Sequence, residues 1–206
     1  EINSAIDNPL IFVEDKEFLS GGNFLGQPIS VAMDLLGIAL TVVGNISERR
    51  IARLMDENLS LGLPAFLIHK EVEKGIHSGF MSAQITAAAL ASENKALAHP
   101  ASVDSIPTEA NFEDFVSMGS IAARKTWEIL RNVELIVAIE LLCAVQGIDH
   151  RGANKAGEGT KAARSLIRRK VPILKEDRVI SNDIETIAEL IRSGEIIDAV
   201  EKAMKS

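Results

Sequence analysis

Polar positions recur along residues 29–55 with the period of a helix. Ser30, Asp34, Gly37, Thr41, Gly44 or Asn45, and Glu48 come every three or four residues, and nearly everything between them is apolar until the Glu48-Arg49-Arg50 cluster. A helix with so narrow a polar stripe is buried on most sides and needs neighbours all round. Pro28 is placed to open it. Asn58 to Pro64 breaks the pattern, and a second helix follows over 78–97, where Ala83, Ala87, Ala88, Ala89 and Ala91 give strong propensity and allow close helix–helix approach. After a polar connection with Pro100 and Pro107, a third helix is predicted from about Asn111 to Gly147. At about 1.5 Å per residue that rod is about 54 Å long, too long for a compact domain of this size, so it points to a long bundle shared between chains.

The remainder is irregular or short. Residues 1–29 are dense in turn residues, with one brief apolar run at Leu10-Ile11-Phe12-Val13. Residues 149–175 are rich in Gly, Lys and Arg. The last 25 residues read as an amphipathic helix or helix pair opening at Asn182, with Glu185 completing a capping box. No strand pattern of any length is visible. The expected fold is all-α: a long-helix bundle with irregular loops, residues 1–150 forming the main helical region and 151–206 a helical tail. The basic start of that tail could be a lid, an interface arm or a solvated face.

Composition narrows the function. The chain has 206 residues and a formal net charge of −7, which argues against nucleic acid as a partner. The greasiest run, residues 135–145, is interrupted by Glu140, so no membrane span and no signal peptide are expected. A lone cysteine, Cys143, cannot bridge within the chain, and a reducing, cytoplasmic setting fits. The chain opens on Glu1 rather than Met, which suggests a fragment or a processed chain. His69, His77, His99 and His150 lie far apart without paired acids, so no metal site is expected. Gly21-Gly22 is too short for a phosphate loop, and there is no Gly-x-Ser-x-Gly elbow.

What stands out is a set of loop segments more particular than loops usually are. They are Asn3-Ser4-Ala5-Ile6-Asp7-Asn8-Pro9-Leu10-Ile11-Phe12, Gly21-Gly22-Asn23-Phe24-Leu25-Gly26-Gln27-Pro28, Gly62-Leu63-Pro64-Ala65-Phe66-Leu67, His99-Pro100-Ala101-Ser102-Val103-Asp104-Ser105-Ile106-Pro107-Thr108 and Asn111-Phe112-Glu113-Asp114-Phe115-Val116-Ser117-Met118-Gly119. Over residues 1–151 the chain resembles the aromatic amino-acid ammonia-lyases, most closely the histidine-specific members. The resemblance implies a carbon–nitrogen lyase that takes ammonia from L-histidine to give trans-urocanate. The electrophile is a methylidene-imidazolone (MIO) cofactor made from an Ala-Ser-Gly triplet, while a tyrosine takes the β-proton. A weakly acidic proton and a poor leaving group need both an electrophile and a positioned base. The family also implies a homotetramer acting on a small aromatic amino acid.

This chain contains neither Ala-Ser-Gly nor any tyrosine. It therefore looks like the C-terminal part of such a subunit, inert alone, forming one wall of a site completed by the missing part and by neighbouring subunits.

The resemblance assigns residues one by one. Glu113 matches the glutamate of histidine-specific members, where phenylalanine and tyrosine lyases have Gln. A carboxylate there can accept a hydrogen bond from an imidazole N–H, and its bland alternative is a Glu at a helix N-terminus. Phe24 matches a phenylalanine lining the substrate site, against plain core packing. Asn8 matches an asparagine near the electrophile, against turn chemistry before Pro9. Asn23 is a weaker match that a turn would also explain. Asp104 reads as a structural loop carboxylate, and Glu140 as a buried partner for Arg49 or Arg53.

Leu25, Phe112 and Phe115 stand where the histidine-specific members carry polar residues. These changes keep a phenylalanine or tyrosine lyase, or an aminomutase, open as an alternative on the same scaffold. A non-catalytic helical scaffold protein is the reading from a different class.

Overall fold

A computed structural model describes residues 1, 3–72 and 75–205. Among them are six α-helices: α1 (Gln27–Met55), α2 (Met81–Leu97), α3 (Gly119–Arg151), α4 (Glu158–Lys170), α5 (Ser181–Arg192) and α6 (Glu195–Met204). The all-α expectation holds, with one addition. Leu10–Phe12 (β1) and Glu17–Leu19 (β2) form a small antiparallel hairpin, pairing Leu10 with Leu19, Ile11 with Phe18 and Phe12 with Glu17. At three residues a strand, with Ile11 and Phe18 both exposed, the hairpin has no buried face. It therefore lacks the alternation by which strands are recognised.

Several helix boundaries differ from expectation: α2 begins at Met81 rather than at 78, and α3 runs past Gly147 to Arg151. α3 begins at Gly119 rather than near Asn111, because Glu109, Ala110, Asn111 and Met118 all have positive φ and cannot lie in a right-handed helix. α5 begins at Ser181, after Ile180 and without a side-chain cap bond, so the capping box expected at Asn182 and Glu185 does not form. α1 starts next to Pro28 as expected, but much of its apolar surface, including Val31, Leu35, Val42 and Ile46, is exposed in this chain rather than covered on most sides. By length and composition it is also long and apolar enough to cross a membrane. Its charges are too few and too spaced to break the apolar character over a helix length, and an 18-residue stretch of α1 has a mean hydropathy of 1.9.

The chain divides into two compact units, and α1, α2 and α3 each contribute to both. The second unit (Thr41–Asn94, Arg131–Ser206) holds the main core. Ile51 and Met55 of α1, Phe80, Ala83 and Ala87 of α2, and Ile136, Ile139 and Leu142 of α3 pack with Leu166 and Ile167 of α4 and Ile187 and Leu190 of α5. Cys143 lies in this core, and burial pushes its thiol well above the ordinary range. Gln146, fully buried, clamps the connection between α4 and α5. Its Nε2 donates to the Leu174 carbonyl at 2.9 Å and its Oε1 accepts from the Leu174 N–H at 3.2 Å. Glu140 is an ion-pair residue as expected, but its partner is Arg50, one helical position from the Arg49 that was anticipated. Arg50 donates through Nε and through Nη2 at 2.7 Å, and Ser47 Oγ adds a third bond at 2.5 Å. Arg49 instead pairs with Glu48.

The first unit (Glu1–Leu40, Lys95–Leu130) is built differently. Its buried residues are few and several are polar: Ser30, Asp34, Ala122, Thr126 and Ile129. Gly37 lets α1 and α3 approach. A β-carbon there would lie 2.9 Å from Thr126 Oγ1, which donates to the Met33 carbonyl at 2.6 Å.

Candidate active site

Four of the five particular loop segments fall in the first unit. The exception, residues 62–67, lies in the second, where Leu63 and Leu67 are core residues. That segment's role is packing.

Asp34, nearly buried on α1, organises the loop over 99–108. Its Oδ2 accepts the Ser102 N–H at 2.7 Å, while Gln27 Nε2 donates to the Ser102 carbonyl at 3.3 Å. Lys125 of α3 approaches Asp34 at 3.9 Å and donates to the His99 carbonyl. Asp104 is the structural loop carboxylate that was expected. Its Oδ1 accepts the Ser105 N–H at 2.8 Å, and Ser105 Oγ accepts the Val116 N–H at 2.9 Å. The chain therefore ties one motif loop to the next. A cavity of about 460 Å³ opens here, lined by His99, Val103, Asp104, Met118, Ile121 and Lys125. Asp34 and Lys125 were not singled out from sequence. The available signal was a carboxylate and an ammonium each set in an apolar helix, where charge needs a partner.

The starts of α1 and α3 converge. A β-carbon on Gly119 would lie 3.8 Å from Ser30 Cβ and 3.9 Å from the Gly26 carbonyl oxygen, and Gly26 itself has φ +70°. Neither helix has an acidic residue in its first turn. Two helix N-termini, each carrying about half a positive charge, thus meet with no acidic residue in either first turn, an arrangement that favours an anion. Beside them Ser30 Oγ and Gln27 Oε1 are buried and make no hydrogen bond within the structure.

Glu113 is half-buried, six positions ahead of α3, so the helix N-terminus explanation for it falls away. It stands just after a left-handed turn. Glu109, Ala110 and Asn111 have φ of 52°, 54° and 71°, a conformation that costs about 1–2 kcal/mol per non-glycine residue. The Thr108 N–H donates to the Glu113 carbonyl at 2.8 Å and the two residues form an antiparallel bridge.

Phe24 is 47% exposed, which excludes core packing within this chain. Asn8 Oδ1 accepts the Gly21 N–H at 3.0 Å, and Asn23 Nδ2 donates to the Ala5 carbonyl at 3.1 Å. The two asparagines thereby cross-tie the segments on either side of the hairpin. Their bonds run to each other's segments, not to Glu113. Leu25 is half-buried, whereas Phe112 and Phe115 are exposed.

Comparison with known proteins agrees with this layout. The family model described as "Aromatic amino acid lyase" matches residues 1–169. A histidine ammonia-lyase from Alkaliphilus oremlandii is 60% identical over 205 residues, covering 100% of this chain and 40% of the relative. The crystal structure of histidine ammonia-lyase from Trypanosoma cruzi superposes with a TM-score of 0.91 at 49% identity, over 98% of this chain and 39% of that one. Tyrosine aminomutase from Streptomyces globisporus superposes equally well, at 43% identity over 98% of this chain and 38% of that one. The chain thus spans about 40% of the length of the curated relatives it matches, and over that span it belongs to the aromatic amino acid lyase family.

Proposed function

We propose that this chain is the C-terminal part of a histidine ammonia-lyase, a carbon–nitrogen lyase that converts L-histidine to trans-urocanate and ammonia. The observation that carries the reading is the Glu113 carboxylate. It is displayed on a tied loop in the same compact unit as two helix N-termini that have no acidic residue in their first turns. Glu113 accepts a hydrogen bond from the substrate imidazole and favours its charged form, as no group could do for phenylalanine. Phe24 lines the aromatic ring, and Asn8 and Asn23 hold the wall that carries it. The positive helix ends attract negative charge, whether the substrate carboxylate or charge that develops as the C–N bond breaks.

The family's MIO group, when bound, supplies an electrophile toward which electron density is drawn. The residues present fit such a neighbour, because the helix ends favour charge gathering there and Ser30 Oγ and Gln27 Oε1 are buried polar atoms with no bond in the chain. With no Ala-Ser-Gly and no tyrosine among its 206 residues, the chain takes both the electrophile and the proton-abstracting base from sequence outside it. The 206 residues alone are therefore inactive. Residues 1–150 carry the bundle and site loops, residues 151–206 form a helical tail, and the whole protein is a cytoplasmic homotetramer. Its partners are a small aromatic amino acid and copies of itself, with no role for a resident metal, nucleic acid or a membrane.

A second reading has its own support. Leu25, Phe112 and Phe115 are apolar, and tyrosine aminomutase shares the fold at 43% identity. A phenylalanine or tyrosine lyase or aminomutase would use the same wall without needing the Glu113 charge. Glu113→Gln in the whole protein separates the two. A charged hydrogen bond is worth about 1.5–3 kcal/mol, so histidine turnover is expected to fall by about tenfold or more in kcat/KM. Unchanged histidine kinetics would contradict the assignment. Absence of turnover on every aromatic amino acid would favour the scaffold reading.

A further inference from the structure

Residues 109–111 make a left-handed turn without using glycine. We infer that this turn, centred on Ala110, is the positioning device for the Glu113 carboxylate; the inference rests on the substrate role proposed above for Glu113. The turn is regular. The Asn111 N–H donates to the Thr108 carbonyl at 3.0 Å and the Phe112 N–H to the Glu109 carbonyl at 3.1 Å, with all three residues between 52° and 71° in φ. Asparagine tolerates that region through its short polar side chain, but glutamate and alanine have no such compensation. Backbone of this kind persists only where its surroundings over-determine it, and it concentrates where a group must be held in one place.

The surroundings here are specific. The Thr108 N–H reaches across the turn to the Glu113 carbonyl at 2.8 Å, and the Val116 N–H is held by Ser105 Oγ at 2.9 Å. At the far end Met118 is again left-handed, with φ 53°, and leads directly into α3. Residues 112–117 are therefore framed on both sides by left-handed backbone that carries a β-carbon. Ala110 is exposed and offers only a methyl group, so it acts on the loop through handedness and not through a contact. Relaxation of Ala110 to the right-handed region would re-aim the chain three residues before Glu113 and break the bond across the turn.

The test is a double-variant cycle in the whole protein, with KM and kcat for L-histidine read beside the unfolding temperature. Valine strongly disfavours positive φ, whereas glycine adopts it freely. A110V is expected to raise KM by about tenfold with a smaller change in kcat, while A110G keeps KM within about twofold and unfolds no lower than the parent. In an E113Q background A110V should change KM by less than about twofold, because the group it positions is already neutral. A parent-like KM in A110V overturns the inference, and so does a loss that multiplies with that of E113Q. Should A110V fail to fold, A110G carries the test by itself: a raised KM or a lower unfolding temperature contradicts a strained positioning turn. If the parent protein does not turn over histidine, the substrate assignment fails instead. The cycle is then read on whichever aromatic amino acid the parent deaminates, where multiplying losses again overturn the turn's role.

Discussion

Asp177 caps a glycine 98 residues away in sequence. Its two carboxylate oxygens accept the Ser78 N–H at 2.7 Å and the Gly79 N–H at 2.9 Å, just ahead of α2. The Ser78 bond, more than any other interaction, holds the carboxyl below the usual carboxylate range. Burial opposes the shift, and the Gly79 bond and His77 add to it. A carboxyl whose pKa is lowered on folding contributes its stability above the unfolded value, about 3.9, and loses it as pH falls through the lower folded one. Asp177→Asn is therefore expected to unfold at a lower temperature than the parent near neutral pH, with the gap closing as pH drops below about 4. A gap independent of pH would contradict this account. Residues of this kind differ in how far sequence reveals them. Glu113 was legible because it sits in a recognisable string. The left-handed turn that precedes it was not, since Glu109 and Ala110 are ordinary helix formers whose local preference is overridden by the bond from Thr108 to Glu113. Glu140 was legible as a buried charge needing an arginine. Which of three nearby arginines it takes depends on helix rotation, and the structure gives Arg50.

At the scale of elements, α1 presents two unlike faces. One carries Gly37 and Gly44, where β-carbons would lie 2.9 Å from Thr126 Oγ1 and 3.1 Å from Val133 Cγ2; this face packs on α3. Another carries Val31, Leu35, Ile38, Val42 and Ile46, all exposed, at helical spacing. A contiguous apolar stripe of that length marks an interaction surface, and under the proposed homotetramer it is where further copies pack. Val42→Asp is expected to dissociate the whole protein on sedimentation, while Val42→Ile leaves the assembly intact. An unchanged assembly in Val42→Asp would contradict the stripe's role. The three long helices were legible from their polar period and alanine content. The β1–β2 hairpin and the start of α3 were not. The first lacks a buried face, and the second is decided by backbone handedness, which side-chain periodicity does not record.

At the scale of the whole molecule, the two compact units divide the labour. The second unit buries the main apolar core, while the first, which contains Asn8, Asn23, Phe24, Asp104 and Glu113 as well as the converging starts of α1 and α3, has little apolar core. A unit so polar inside, with its aromatic residues exposed, is suited to being one wall of a larger site. The chain's coverage of about 40% of its curated relatives fits the same picture. The most direct measurement follows the ultraviolet absorbance of the whole protein incubated with L-histidine, with L-phenylalanine and L-tyrosine run in parallel. The expected result is a rise in the urocanate band with histidine, and little or no cinnamate-type product from the other two. Cinnamate-type product without urocanate would contradict the account, and would mean that Leu25, Phe112 and Phe115 decide the substrate rather than Glu113.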